Sequence, residues 1–491
     1  MYTINRIAEN HRKIKHFQII RDLTFMMVVY IIYTMSFIRK IKKGPHVYLA
    51  EVENHRVQGK VVQKVLRYVG KEINGQIQRR VVTTDVEVEA VRHCADVLAV
   101  HRVAKQLGLR EMFGEHGPYI LSFVYSHLLE RPSIRKLEEW FGHTEIPELL
   151  GLQEISTSRL YETLGHLSRW DFGQVEEKIL ERLRRYEARN HSAIIDVTDT
   201  YFEGGSLAER SRRGKDGKVR KLLQIGLGVT QGRGFPILMR TYPGTTSNIM
   251  IFKDLYNRLL ERGYRAVIID RGMSCEDNIR RILEARMEII CGLRKNDRLR
   301  RRFLARIDRE ALYRREHRVA LQSVGVYVQA FPYLRGQLIV VYNPSLEVVR
   351  REIAYEMEKI RENDVRDEGY SLLYHNTSQT IEAVTRQYFE KEIVDRAFKK
   401  LKGVLSLRPI RVWQKEHIEG HIRVCYLAYA ILSSLEYHLR KSGFSAVEFL
   451  EKLRKGYRVH LKDRKSGHRW NTDVLLEKKL YKYFDSLQAA M

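Results

Sequence analysis

Residues 192–200 read Ser192-Ala-Ile-Ile-Asp-Val-Thr-Asp-Thr200, and residues 266–270 read Ala266-Val-Ile-Ile-Asp270. Each is a short apolar run carrying an aspartate, the pattern of a central strand buried on both faces. A carboxylate inside such a strand is costly unless it is paired, hydrogen-bonded or bound to a metal. Asp196 is therefore a candidate site residue. Asp199 competes with it but lies beyond the apolar stretch. Asp270 closes its run, and in open α/β sheets sites gather at the carboxyl ends of strands. Taken singly, Asp270 equally suits a cap for the following turn. If the two strands are neighbours, the two carboxylates can meet.

Working outward, two further strand-like runs lie between them, Leu222 to Thr230 and Phe235 to Thr241, split by Gln231-Gly-Arg-Gly. Helical spacing follows from Ile249 to Leu260 and from Glu276 to Ala285, and another apolar run spans Met287 to Leu293. Three strands, then alternating helix and strand, is the order of an RNase H-like α/β sheet. A fold alone does not give a function.

A third acid comes from helical geometry. The reading predicts a long helix from about Thr380 to Leu405, on which Tyr388, Lys391, Asp395 and Lys402 share a stripe about 60° wide. Val394, Ala397, Phe398, Leu401 and Leu405 occupy the neighbouring stripe and are expected to face the core. A solvated face with snorkelling lysines explains the helix taken alone. Two strand aspartates and a helix aspartate together suit Mg²⁺, a hard cation that takes carboxylate oxygens and keeps waters. A pair of such ions serves phosphodiester chemistry.

The rest of the chain divides around this core. Residues 1–34 hold most of an apolar run, 24–38, that is shorter than the roughly 20 residues a membrane span needs and lacks a signal-cleavage pattern. They are expected to be an upstream extension, with the working protein starting at Met35. Residues 35–85 alternate as a β-hairpin region with a turn at Asn54 to Gly59. Residues 86–190 read as helices, a candidate DNA-binding region. There Ser156-Thr-Ser-Arg begins either the second helix of a helix-turn-helix or an ordinary packed helix. The core is expected over 191–296 and 366–440, interrupted by a charged, β-rich insertion at 297–365, with a basic tail at 441–491.

Composition narrows the function. The chain has 491 residues, with 87 Lys and Arg against 60 Asp and Glu, a net charge of +27. Such an excess points to a polyanion, above all nucleic acid, because neutralising phosphates releases counterions. The four cysteines are too dispersed for a disulfide framework or a CxxC metal site, so a reducing compartment is expected.

Taken as a set, these stretches resemble the DDE transposases of bacterial insertion sequences, in the group with a Tyr-x2-Arg-x3-Glu-x6-Lys signature and a β-rich insertion. The matching pieces are Asp196-Val-Thr-Asp-Thr-Tyr-Phe-Glu-Gly204, Gly226-Leu-Gly-Val-Thr, Pro243-Gly-Thr-Thr-Ser-Asn248, Ile269-Asp-Arg-Gly-Met273 and Gly292-Leu-Arg. To these are added Asp395-Arg-Ala-Phe-Lys-Lys-Leu-Lys, Leu407-Arg-Pro-Ile and Glu419-Gly-His-Ile422. The resemblance covers nearly everything from Met35 onward. It implies an RNase H-like core and two Mg²⁺ ions, with Mn²⁺ able to substitute. Asp196, Asp270 and Asp395 would be the metal-binding and catalytic residues, Asp196 bridging both ions. Tyr388, Lys391, Lys402 and Arg271 would contact DNA.

The implied activity is cut-and-paste transposition by a homodimer on double-stranded DNA, in the bacterial cytoplasm, with no membrane and no small-molecule substrate. Element ends would be cleaved and the freed 3′-hydroxyls joined to target DNA. Two residues depart from the family. Its glutamate is Asp395, whose missing methylene retracts a ligand by about 1.5 Å against a tolerance of about 0.2 Å. Its arginine is Lys391, which lacks the bidentate fork. Glu392 lies about 60° off the stripe. The alternatives are a catalytically decayed copy, a repressor-like DNA-binding protein, or an RNase H-fold nuclease without strand transfer.

Overall fold

The computed structural model describes residues 36–57, 60–73, 76–79, 85–152, 155–187, 192–202, 211–213, 219–294, 297–321, 324–356 and 368–475. The expected extension and almost all of the apolar run at 24–38 lie outside the described residues. Among the described residues, no helix is long and apolar enough to cross a membrane. The chain divides into two compact units: residues up to Glu87 with Asp463–His468, and Val88–Lys462 with the residues from Arg469 on.

The first unit is an antiparallel meander of β1 (Phe37–Lys43), β2 (His46–Val57), β3 (Lys60–Ile73) and β4 (Gln76–Arg79), each paired with the next. The turn expected at Asn54 to Gly59 is tighter than that. Asn54 to Val57 remain in the ladder, and Val57 pairs with Lys60. Alternation alone would not bury both Leu49 and Ala50. A register shift between them, of the kind a β-bulge makes, turns both inward.

The second unit begins within β5 (Val86–His93), at Val88, and passes into a helical layer. This comprises α1 (Ala95–Gln106), α2 (Gly117–Leu129), α3 (Ile134–Gly142), α4 (Thr157–Arg169) and α5 (Phe172–Leu183). The Ser156 hydroxyl accepts from the Arg159 N–H at 3.3 Å and so caps α4.

A central sheet follows, built from β6 (Ser192–Tyr201), β7 (Ser211–Arg213), β8 (Val219–Thr230), β9 (Pro236–Pro243), β10 (Ala266–Ile269) and β11 (Glu288–Gly292). Helix α6 (Asn248–Glu261) links β9 to β10, and α7 (Glu276–Glu284) links β10 to β11. The neighbours run β9-β8-β6-β10-β11. The pairs β6/β10 and β10/β11 are parallel, and β6/β8 and β8/β9 antiparallel. The sheet is covered on both faces. Ala193, Ile195, Val197, Val267 and Ile269 pack with α6 and α7, while Ile194, Ile225, Leu227 and Ile268 join the helical layer.

Beyond β11 the segment at 297–365 extends this sheet. Helix α8 (Asp297–Leu304) leads to β12 (Arg318–Ala320), β13 (Gly325–Tyr333) and β14 (Gly336–Tyr342), then α9 (Pro344–Glu356) and β15 (Tyr370–His375). β15 pairs antiparallel with β11 on one side and β14 on the other, giving a sheet of 10 strands. A small core around Phe303, Phe331, Leu338 and Tyr370 fills this wing.

The single helix expected from Thr380 to Leu405 is broken. Helix α10 (Ile381–Phe389) is followed by α11 (Glu392–Lys399) and a π-helical turn, Lys400–Val404. At the break the bonds tighten: the N–H groups of Lys391, Ile393 and Val394 donate to the carbonyls of Tyr388, Glu390 and Lys391. A π-helical turn of this kind is common at functional positions.

Helix α12 (Lys415–Leu439) runs through the core and crosses α4 closely. A Cβ at Gly420 would lie 2.3 Å from the Leu164 carbonyl oxygen. The region from 441, expected as a basic tail, is folded as far as it is described. It forms α13 (Ala446–Leu453) and a hairpin of β16 (Gly456–Asp463) and β17 (Arg469–Leu475), in a sheet ordered β17-β16-β5. Every residue of β16 after Gly456 and alternate residues of β17 are half-buried in that sheet, which a charge count does not reveal.

One buried ion cluster ties the helical layer to the sheet. The fully buried Glu176 on α5 accepts from Arg240 at 2.6 and 2.9 Å, from Arg262 at 2.7 Å and from the Met239 N–H at 3.0 Å. Every lone pair of that carboxylate is in use, which offsets the cost of burying it.

Candidate active site

The parallel register of β10 on β6 pairs Ile268 with Ile194 and Ile269 with Ile195. The strand β10 ends at Ile269, and the same register carried one residue further brings Asp270 toward Asp196, on strands spaced about 4.8 Å apart. Asp196 shares its face of β6 with Ile194 and Thr198, the face on which α11 packs, while α10 lies over β11. Asp196 is half-buried, and so is Asp270.

The helix residues reach this edge from above. Tyr388 donates its O–H to Asp270 Oδ1 at 3.3 Å, and the Lys391 ammonium donates to the same oxygen. Lys391 also stands over the Tyr388 ring, 4.8 Å from its centroid. Further along, Lys402 in the π-helical turn donates to the Thr198 hydroxyl. Tyr388 and Lys391 thus touch one neighbour of Asp196, and Lys402 touches another.

Asp395 lies between them in sequence, on α11, with Val394, Ala397 and Phe398 buried beneath. Its own side chain is exposed. The three aspartates are not gathered within 4.8 Å of one another. The break at Lys391 bears on this. A continuous helix would carry all four residues on one stripe, whereas the tightened turn sends Tyr388 and Lys391 to Asp270 and leaves Asp395 facing outward.

Burial is the largest influence on the Asp270 carboxyl and pushes it up. The hydrogen bond and charge of Lys391, with the Arg271 N–H and charge, outweigh burial and hold it below the usual carboxylate range. Burial pushes the Tyr388 phenol upward, so it stays protonated and acts as a donor.

Arg271 is exposed beside Asp270. It lines a cleft of about 150 Å³ with Arg294, Arg300, Arg350, Tyr388 and Lys391. Arg294 donates to the carbonyls of Arg271 and Gly272, bracing the turn after Asp270. Arg350 is itself paired with Glu368 at 2.7 Å. In the sequence Arg294 stood only in the matching stretch Gly292-Leu-Arg, with no role, and Arg300 and Arg350 were not singled out. The arginine-dense run after Gly292 was the available signal, but nothing local ties α8 and α9 to the aspartates.

No family model matches the chain, and no curated protein matches it. Among solved structures it is similar to a cryo-EM structure of the piggyBac transposase synaptic complex with hairpin DNA. The two share 13% identity over 73% of this chain and 76% of that one, with a TM-score of 0.38.

Proposed function

We propose that the chain is a DNA transposase that cleaves the ends of its element and joins them to target DNA. The observation that supports this reading is the register of β10 on β6, which carries Asp270 toward Asp196, with Tyr388 and Lys391 bonded to Asp270 and Lys402 bonded to Thr198. The strand order β9-β8-β6-β10-β11, with its parallel and antiparallel pairs, supports an RNase H-like core. The net charge of +27 and the arginine-lined cleft support a DNA partner.

The donor set at the strand ends consists of carboxylate oxygens at a half-exposed edge, which fits a hard divalent cation such as Mg²⁺. Asp196 and Asp270 would hold it, and Asp395 would be the third donor once its side chain turns inward. Such ions, when bound, activate the attacking oxygen and stabilise the leaving one. Tyr388 orients the Asp270 carboxylate. Lys391 balances the charge of Asp270 and would be released to a DNA phosphate once cations take over that role. Arg271, Arg294 and Arg300 give the phosphate backbone its track.

The test is cleavage of a duplex carrying the element's own terminal repeats, with Mg²⁺ or Mn²⁺. Asp196→Ala and Asp270→Ala should abolish cutting and spare binding, and cutting by either variant would refute the assignment. Joining of pre-cleaved ends to a supercoiled plasmid separates a transposase from a nuclease of the same fold. The exposed, shortened Asp395 favours a second reading, a DNA-binding descendant that no longer cuts. That protein would bind ends without nicking them, and Asp395→Glu would restore cleavage.

A further inference from the structure

We propose that His127, His421 and Cys425 form a site for a thiophilic divalent cation, Zn²⁺, between α2 and α12. Among the described residues, these are the three His, Cys, Asp or Glu side chains whose ligand atoms all lie within 4.8 Å of one another. His421 and Cys425 stand one turn apart on the same face of α12, and His127 faces them from α2. His127 Nε2 lies 3.3 Å from His421 Nδ1, and His421 Nε2 lies 3.8 Å from Cys425 Sγ.

A tetrahedral zinc with Zn–N about 2.05 Å and Zn–S about 2.3 Å sets its ligand atoms about 3.4 Å (N to N) and about 3.6 Å (N to S) apart. The cluster stands close to that spacing. One nitrogen of His421 takes the ion, so the remaining separation, at most 4.8 Å, must close by up to about 1.4 Å, within reach of a side-chain rotation.

The hydrogen bonds around the cluster leave lone pairs for a metal. His127 Nδ1 lies 3.0 Å from the Phe123 carbonyl, and the His421 ring is held by the Ser406 carbonyl. Burial keeps both imidazoles neutral, drawing His127 down to about 4 and His421 to about 3. A neutral ring has one N–H. If each ring spends it on its backbone carbonyl, the other nitrogen is an acceptor turned toward the cluster. A zinc-binding imidazole usually donates its other N–H to a carboxylate, a backbone carbonyl or water, and here the partner is a carbonyl.

Two imidazoles and a thiol select zinc over magnesium, so this site and the strand aspartates draw on different ions. On binding, the Cys425 thiol becomes a thiolate and its proton leaves to solvent. The route is open, because His127 and His421 line a cavity of about 970 Å³, from which a water can complete the coordination. Cys425 donates to the Leu405 carbonyl at 3.4 Å, so the ion would staple α2 and α12 beside the turn that follows Lys402.

The full-length chain, purified reduced and without chelator, should retain about one zinc, read by elemental mass spectrometry. Co²⁺ added to the metal-stripped chain should give a thiolate-to-cobalt charge-transfer band. Cys425→Ser should remove the band, and His421→Gln should weaken binding beyond the roughly 10–100-fold cost of losing an outer hydrogen-bond partner. In the wild-type chain, whose folding is not at issue, zinc should slow alkylation of Cys425 and leave Cys275 unchanged. Absence of both retained zinc and the cobalt band, or a band that survives in a folded Cys425→Ser chain, overturns the proposal. So does alkylation of Cys425 at the same rate with and without zinc.

Discussion

Gly292 closes β11 directly against the Tyr388 hydroxyl. A Cβ placed there would lie 2.2 Å from Tyr388 Oη and 3.0 Å from Cζ, where ordinary contact begins at 3.4 Å. In Gly292→Ala the hydroxyl must therefore withdraw by about 1.2 Å. Tyr388 is 7% exposed, so the whole ring has to shift against its packing. Its hydrogen bond to Asp270, already 3.3 Å, then breaks. A 1 Å misplacement near reacting groups costs about 10²-fold in rate, or about 2.7 kcal/mol. Overpacking should separately cost about 1–3 kcal/mol of stability. The assay is single-turnover cleavage of an element-end duplex, beside urea unfolding. Tyr388→Phe supplies the control, since it deletes the clashing oxygen. In that background Gly292→Ala should be nearly silent, so that coupling accounts for most of the single-mutant loss. A Gly292→Ala enzyme cutting at the wild-type rate would refute the reasoning. An equal loss in the phenylalanine background would show that the hydroxyl is not the cause.

Other perturbations test neighbouring parts. Glu176→Ala strands Arg240 and Arg262 and should cost about 3–5 kcal/mol by urea unfolding, with a loss under about 1 kcal/mol contradicting the buried cluster. Gly420→Val pushes α12 off the Leu164 carbonyl and should destabilise by about 1–3 kcal/mol or more, read in the same experiment. Lys391→Met should release the Asp270 carboxyl upward. The pair's stabilisation is present above the unfolded pKa and lost as pH falls through the depressed folded one. The difference between wild type and variant, about 0–1 kcal/mol for so exposed a pair, should therefore vanish in acid. Arg294→Ala or Arg300→Ala should each flatten the log–log salt dependence of DNA binding by about 1, and an unchanged slope would remove that residue from the DNA track.

How much was legible varied from element to element. The apolar runs around Asp196 and Asp270 became β6 and β10 because two-sided burial leaves a local signature, a short stretch rich in Ile, Val and Ala. Ser156 and Thr380 marked helix starts, since their hydroxyls accept N–H groups three residues on. The buried stripe Val394, Ala397, Phe398 and Leu401 was also readable, from helical spacing. The break at Lys391 was not, because no proline or glycine announces it and the chain tightens there without a local breaker.

The sequence by itself did not mark the strands β5, β16 and β17, but it determined the central strands and helices around the aspartates, which of their faces are apolar, and that a carboxylate sits within β6 and another at the end of β10. Those follow from the periods of the backbone, which act over a few residues. Only the tertiary structure decided that β6 and β10 are neighbours in register, that Lys391 closes on Asp270 while Asp395 faces outward, and that arginines from 271, 294, 300 and 350 share one cleft. Pairing between distant strands is selected by the packing of the whole core, a sum over many contacts that no single window of residues contains.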